Sequence, residues 1–206
     1  MKHIRLAQTD DGSQITDLRV TEFSRARDFV LVDSHQLHWN EGDEKNHVVG
    51  VWGDNQKVVA TIRMIRVHGS RETREVLEAD IPKTLRFPGV VFNAAATGKN
   101  YSRQGFNQLI RYYGIQSAMK SGIRMMLSPV YENAPRINLM RRMGYVCNRF
   151  TRSWQTKLLP NNPRMLAVLE DRHFTKAVGV IEEMIPELIR EYPWKGIPLK
   201  FIPNVA

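Results

Sequence analysis

Apolar and polar positions along the chain predict short elements of both kinds. Apolar residues recur at helical spacing from Ile15 to Val30, with Ser13 and Thr16 as alternative caps. Two β-rich runs, 47–52 and 57–67, flank Gly53-Asp54-Asn55-Gln56 and predict an antiparallel hairpin. The pattern then predicts a strand over 90–96, a helix over 106–121, a strand over 123–130 and a helix over 134–143.

The remaining segments are less regular. Residues 71–85 read as a charged connection with room for a short helix, and Val146 to Leu158 holds one more expected strand. Pro160-Asn161-Asn162-Pro163 breaks the chain, and residues 164–192 then predict helix interrupted at Pro186. Pattern alone therefore gives an α/β or α+β fold with an antiparallel start.

Composition excludes several classes of protein. The 42% hydrophobic and 25% charged residues are globular values. No apolar run approaches the roughly 18 residues of a membrane span, and the polar N-terminus lacks the apolar region of a signal peptide. Cys147 is the only cysteine, so it forms no intramolecular disulfide, and we predict a cytoplasmic protein. The histidines lack ligand spacing, so neither a metal site nor a permanently bound cofactor is predicted.

Positive charge is concentrated in one part of the chain. The net charge is +9, and residues 99–164 hold 12 basic side chains against one acid, Glu132. This excess serves either general solubility or an anionic partner, such as phosphopantetheine, coenzyme A, an acidic carrier protein or nucleic acid. Aromatic residues do not interleave with the basic ones, which argues against nucleic acid.

A polar loop at 97–107 follows the apolar run Val90-Val91-Phe92 and opens onto the helix over 106–121. A strand, a polar loop and a helix N-terminus in this order aim backbone amides at a phosphate, and Gly105 lets the backbone approach it. Asn133 and the pair Gly144-Tyr145 follow about 40 residues later. Together these segments resemble the acyl-CoA-binding core of the GNAT acetyltransferases. The resemblance implies a GNAT-like N-acyltransferase domain with a mixed sheet over 1–159 and a C-terminal helical extension over 160–206 packed on it.

The N-terminal half resembles a narrower group. Arg19-x-x-x-Phe23, Trp39, the acidic run 41–44 and the strand ending at Arg63 are similar to acyl-homoserine-lactone synthases and long-chain N-acyl amino acid synthases, which share this fold and take acyl groups from acyl carrier protein. Lactone synthases carry a Glu and an Arg on the next strand, where this chain has Asn93-Ala94-Ala95-Ala96. The missing Glu favours the synthases that acylate amino acids.

The resemblance implies an N-acyltransferase that moves a long-chain acyl group from acyl carrier protein, bound at the basic surface 99–164, to the amine of a small acceptor, an amino acid. The alternatives are an acetyl-CoA-dependent N-acetyltransferase and a lactone-synthase-like enzyme. Asn107 replaces a small residue of the family loop, which favours acyl-phosphopantetheine over acyl-CoA as the co-substrate.

The predicted site has three parts. A proton acceptor is expected from Glu41, Asp43 or a water on Asn93. The family's usual acid for the leaving thiolate is absent, since Leu139-Met140 occupies its place, and Tyr131 and Tyr101 are substitutes by proximity alone. The donor would be held by the following residues: Ala95, Ala96, Thr97, Tyr101, Ser102, Arg103, Gln104, Gly105, Phe106, Asn107 and Asn133. The acceptor would be held by Arg19, Phe23, Phe29, Trp39 and Arg63. Adaptable lining for the acyl chain is expected from Met64, Met125, Met126, Met140 and Met143.

Overall fold

A computed structural model describes residues 2–25, 37–132, 134–150 and 164–201. Its strands are β1 (His3–Leu6), β2 (His47–Trp52), β3 (Val58–Val67), β4 (Gly89–Thr97), β5 (Met125–Tyr131), β6 (Val146–Arg149) and β7 (Arg164–Glu170). Its helices are α1 (Gly12–Ser24), α2 (Glu41–Glu44), α3 (Ser70–Leu77), α4 (Phe106–Lys120), α5 (Ile137–Arg142), α6 (Phe174–Met184) and α7 (Pro186–Glu191).

The described strands form one mixed sheet in the order β1-β2-β3-β4-β5-β7-β6. Only the β4–β5 pair is parallel, and every other neighbouring pair is antiparallel. The predicted α/β class with a mixed sheet is therefore confirmed, as are the β2–β3 hairpin and the order β4, polar loop, α4, β5. The predicted caps of α1 are wrong, because Asp11 occupies the N-cap and Thr16 Oγ1 accepts the Trp39 amide at 2.8 Å.

The prediction of helix from residue 164 is wrong over 164–170. These residues form β7, which lies inside the sheet between β5 and β6. The segment Met165 to Leu169 is a continuous apolar run buried on both faces of the sheet, so it lacks the alternation that marks a half-exposed strand. Helix does follow, and it is interrupted before Pro186 as predicted. Because β7 belongs to the sheet, we propose that the helical extension begins after residue 170.

Helices cover both faces of the sheet. The larger core lies under α4, α5 and α6 and includes Phe92, Leu109, Met140 and Ile181. The opposite face packs on α3 through Leu77 and, nearer β1, on α1 through Ile15. All five methionines expected to line an acyl chain are buried core residues, and none of them lines the cavity where β4 and β5 separate. None of the described helices is long and apolar enough to cross a membrane.

The two central strands separate along their length. Pairing between β4 and β5 covers Gly89–Met125, Val90–Met126 and Val91–Leu127, whereas β4 continues to Thr97 and β5 to Tyr131. A register shift on β3 between Thr61 and Arg63, and a φ of +47° at Ala94, accompany the separation. Beyond Phe92, the β5-facing edge of β4 therefore presents backbone N–H and C=O groups that β5 does not pair.

Residues after α7 return to the start of the chain. The Ile4 amide donates to Pro193 O at 3.2 Å, and the Lys195 amide donates to Ile4 O at 2.8 Å. The extension also packs on α4, where Tyr112 Oη donates to Glu182 Oε1 at 2.9 Å. Burial and this hydrogen bond raise the pKa of Tyr112 to about 12. The extension is thereby held against the helix that follows the polar loop.

Candidate functional site

A cavity of about 530 Å³ opens where β4 and β5 separate. Asn93 pairs with Arg63 across the β3–β4 ladder, and both side chains lie on the sheet face that carries Asp43. Phe92 points to the other face, since a methyl at Gly114 of α4 would lie 3.1 Å from its ring. Phe92, Asn93, Arg63 and Arg111 of α4 all line the cavity. The cavity therefore passes through the sheet.

Arg63 is the central polar group on the first face. Its Nε donates to Asn93 Oδ1 at 2.9 Å, and its Nη1 lies 3.6 Å from Asp43 Oδ1. Burial lowers the pKa of Arg63, Asp43 raises it, and the nearby Arg19 lowers it further. Because Asn93 and Asp43 hold only part of the guanidinium, the rest can receive an anionic group from the cavity.

Asp43 holds this end of the site together. Arg19 Nη1 and Nη2 donate to its two carboxylate oxygens at 3.0 and 2.9 Å, and both side chains are fully buried. The Asn40 amide also donates to Asp43 Oδ2, at 3.2 Å, which begins the short helix α2. Asp43 is thus engaged on both oxygens, which suits it to positioning Arg63 better than to accepting a proton. Arg19 is likewise enclosed and does not line the cavity.

The other residues predicted for catalysis or for the acceptor differ in whether they line the cavity. Phe23 lines the cavity, as does Tyr131 at the end of β5. Glu41 is exposed and pairs with Lys45, and Trp39 packs over Gly12 of α1, so neither lines the cavity. Phe29 lies outside the described residues.

The polar loop passes through two left-handed backbone conformations before α4 begins. Lys99–Tyr101 forms one 3-10 turn, Arg103 has a φ of +64°, and Gly105 has a φ of +95° at the N-cap of α4. The first-turn amides of α4 have no acceptor within the helix, as at any helix N-terminus, and they carry the positive end of its dipole. The amides of Tyr101, Ser102 and Gln104 donate to carbonyls within the loop, so the amides that remain for a phosphate are those at the first turn of α4.

The side chains predicted for the donor differ in their placement. Ala95 lines the cavity, Ala96 is buried opposite Thr61, and Thr97 ends β4. Tyr101 packs edge-on against the buried Phe106 at 5.7 Å between ring centroids. The remaining loop residues are Ser102, Arg103 and Gln104, which are exposed, and Asn107, which accepts Arg111 Nε at 2.9 Å. Asn133 lies outside the described residues.

Gly105 has a second role that the sequence did not indicate. A methyl at this position would lie 2.5 Å from Cγ2 of Ile185, at the start of the extension. A residue with a side chain at 105 would therefore press on the extension as well as on the loop.

Three charged residues of the cavity wall are absent from the sequence predictions. They are Glu78, Arg111 and Arg136. Glu78 lies at the end of α3 with a φ of +49°, a left-handed conformation that is costly for a residue with a side chain. Arg111 was hidden within an otherwise apolar helix pattern, and Arg136 within the predicted helix 134–143. No signal in a single sequence distinguishes these from exposed charges.

Other reactive groups lie elsewhere. Cys147 does not line the cavity, and burial raises its pKa, which fits a structural role. Among the described residues, no group of three or more His, Cys, Asp or Glu side chains is arranged to hold a metal ion.

The fold is that of the GNAT acetyltransferases. The CoA-dependent acyl-homoserine lactone synthase BjaI, solved with SAM and isopentyl-CoA, superposes with a TM-score of 0.65 at 12% identity, over 97% of this chain and 96% of that one. Arabidopsis thaliana NAA60 in complex with acetyl-CoA superposes with a TM-score of 0.61 at 11% identity, over 84% and 99%. The ribosomal-protein-S18-alanine N-acetyltransferase from Escherichia coli gives 0.53 at 15%, over 82% and 94%. No protein-family model and no curated protein sequence matches the chain.

Proposed function

We propose that the protein is an N-acyltransferase that moves an acyl group from a phosphopantetheine thioester to the amine of a small acceptor bearing a carboxylate, an amino acid. The observation that carries the proposal is the cavity through the sheet at the separation of β4 and β5, with Arg63 at one end. An acyl donor can enter between the two strands, and the acceptor can bind on the face of the sheet that carries Arg63.

The donor would bind along β4 and the loop. Pantetheine contains two amides, and the unpaired edge of β4 beyond Phe92 offers N–H and C=O groups at strand spacing for such amides. The phosphate would meet the first-turn amides of α4. Small side chains at Ala94 and Ala95 leave the cavity wall open to the thioester.

The acceptor carboxylate would bind Arg63. The guanidinium is positioned by Asn93 and Asp43, and Arg19 neutralises Asp43 from behind. Such an arrangement holds a planar fork in one orientation, which favours paired hydrogen bonds to a carboxylate.

The chemistry needs one proton acceptor. The neutral amine attacks the thioester carbonyl and forms the new C–N bond, and its nitrogen then loses one proton. The C–S bond breaks and the thiolate leaves. Glu78 is the carboxylate that the described cavity wall offers, and we assign it that proton, directly or through a water. Amides of β4 near Ala94 would stabilise the oxyanion, and Tyr131 would protonate the thiolate.

The acyl carrier is inferred from charge. Arg141 and Arg142 of α5 are exposed within the basic segment 99–164, which suits an acidic carrier protein. Coenzyme A is the second candidate donor, because the lactone synthase that superposes over 97% of this chain is described as CoA-dependent.

The function is tested by incubating the purified chain with acyl donors on acyl carrier protein or CoA and a panel of amino acids. Thiol release and mass spectrometry of the product measure transfer. Wild type should acylate an amino acid better than its amide, and Arg63→Lys should weaken acceptor binding by roughly 1.5–3 kcal/mol, the scale of a charged hydrogen bond. The amide should be used equally poorly by both proteins.

Asn93→Ala provides the matched control, because Arg63→Lys also removes the hydrogen bond to Asn93. Arg63→Lys should raise the acceptor KM well beyond Asn93→Ala and leave the donor KM unchanged. Equal use of amino acid and amide by wild type would refute recognition through a carboxylate. Absence of thiol release with every donor would refute the transferase itself.

A further inference from the structure

The cavity has a second cationic end, on the face of the sheet opposite Arg63. Arg111 reaches from α4 into the gap between the strands, where its Nη1 donates to Ser128 Oγ at 2.8 Å and its guanidinium lies 4.7 Å from the centre of the Phe92 ring. Arg136, just before α5, lines the same cavity. The two guanidiniums are close enough that Arg111 affects the titration of Arg136.

These two arginines lack an anion within the part of the chain that the structure describes. Every ion pair found there involves other residues. Arg111 is 3% exposed, and the groups that contact its guanidinium, Asn107, Ser128 and Tyr145, are neutral. The Nε of Arg136 is shielded from solvent and has no hydrogen-bond partner among the described residues. A buried guanidinium beside a half-buried one, with no counter-ion among the described residues, is costly, so this end is prepared for a ligand that brings negative charge.

Arg136 stays charged at neutral pH. Burial, followed by the charge of Arg111, lowers the pKa of Arg136 to about 10, and the nearby Tyr145 and Tyr131 act in the opposite direction. An uncharged alkyl chain at this end would desolvate the two guanidiniums without offering a hydrogen-bond acceptor. A terminal carboxylate would supply acceptors for both guanidiniums.

We propose that Arg111 and Arg136 form a carboxylate subsite, and that the transferred acyl group ends in a carboxylate, as in the monothioester of a dicarboxylic acid. The assignment to the acyl group, and not to the acceptor, rests on the proposed function, in which Arg63 on the opposite face already engages the acceptor carboxylate. The thioester would lie between the two ends, in the gap between β4 and β5. This proposal replaces the unsubstituted long chain that the sequence suggested.

The test compares hexanoyl and adipoyl thioesters on the same carrier, since these donors have equal length and differ in the terminal carboxylate. Wild type should use the adipoyl donor with at least tenfold higher kcat/KM. Arg136→Met should lower the adipoyl value by about tenfold to a hundredfold, the effect of losing one charged hydrogen bond, and leave the hexanoyl value unchanged or higher. Arg66→Met is the matched control, because Arg66 is a partly buried arginine that does not line the cavity.

A second measurement does not depend on transfer. Free adipate, added to the full chain, should raise its thermal unfolding temperature more than hexanoate does, and Arg136→Met should abolish that difference. Arg111→Lys tests the second guanidinium if Arg136→Met fails to fold. Adipate binding without transfer of any acyl group would keep the subsite and reject the proposed function. Transfer with hexanoyl preferred, or an adipate effect that survives both variants, would overturn the subsite and keep the function.

Discussion

Replacing Asp43 with asparagine should destabilise the fold while testing which carboxylate accepts the proton. The side chain keeps its size but loses its charge, and Arg19 remains inside the protein with no exposed atoms. Both Arg19 donor bonds, at 3.0 and 2.9 Å, then face a neutral amide that can accept at only one atom. The Arg63 contact at 3.6 Å weakens as well.

The expected loss is about 3–5 kcal/mol, the cost of leaving one member of a buried ion pair without its partner. A domain of this size is stable by about 5–15 kcal/mol, so this loss is a large part of the total and should lower the urea midpoint strongly. Glu75→Gln is the matched control, because it removes the same charge from the exposed Arg71–Glu75 pair and should leave the midpoint unchanged. The double variant Arg19→Met/Asp43→Leu should recover much of the loss.

Activity separates the two readings of Asp43. If Asp43 positions Arg63, Asp43→Asn should raise the acceptor KM and leave the acidic limb of the pH–rate profile in place. Glu78→Gln should instead remove that limb and lower kcat, with little effect on the urea midpoint. The reasoning fails if Asp43→Asn unfolds at the wild-type urea concentration. It also fails if Asp43→Asn abolishes the acidic limb while Glu78→Gln retains it, because Asp43 would then be the base.

Two further predictions concern the donor side. Gly105→Ala should lower the free energy of unfolding in urea by about 1–3 kcal/mol, because Gly105 has a φ of +95° and a methyl there would lie 2.5 Å from Ile185. Gly179→Ala is the control and should not lower it, since a methyl at 179 meets no atom within 4 Å. Equal urea midpoints for the two variants would contradict this packing. Charge reversal at Arg141 and Arg142 should raise the KM for an acylated carrier protein severalfold at low salt and leave the KM for the amine unchanged. A donor KM that responds to neither the charge reversal nor the salt concentration would favour CoA as the donor.

The sequence predicted the elements whose signal is local. The hairpin was marked by β-branched runs around a turn, and α4 by its apolar spacing after a glycine-bearing loop. By contrast, β7 contains Met, Leu, Ala and Glu, which are good helix formers, and it becomes a strand because β5 and β6 flank it. The four-residue β1 was too short for its pattern to show.

The candidate site was predicted only where a residue type and its fold position coincide. Arg63, Asn93, Phe23 and Tyr131 were predicted and line one cavity. The Arg19–Asp43 pair joins residues 24 positions apart, and its burial follows from packing that a single sequence does not reveal. Because burial decides whether a charge is solvated or needs a partner, the sequence could name these residues but not their roles.

The insertion of β7 between β5 and β6 has a consequence for synthesis on the ribosome. When β6 has emerged, its neighbour in the sheet has not, and the edge of β5 stays open until residues 164–170 follow. The outer edge of β1 lacks its hydrogen-bond partners for even longer, until residues 193–195 have been made. A nascent chain therefore carries exposed strand edges through most of its translation, which is the state most prone to aggregation and most dependent on chaperones.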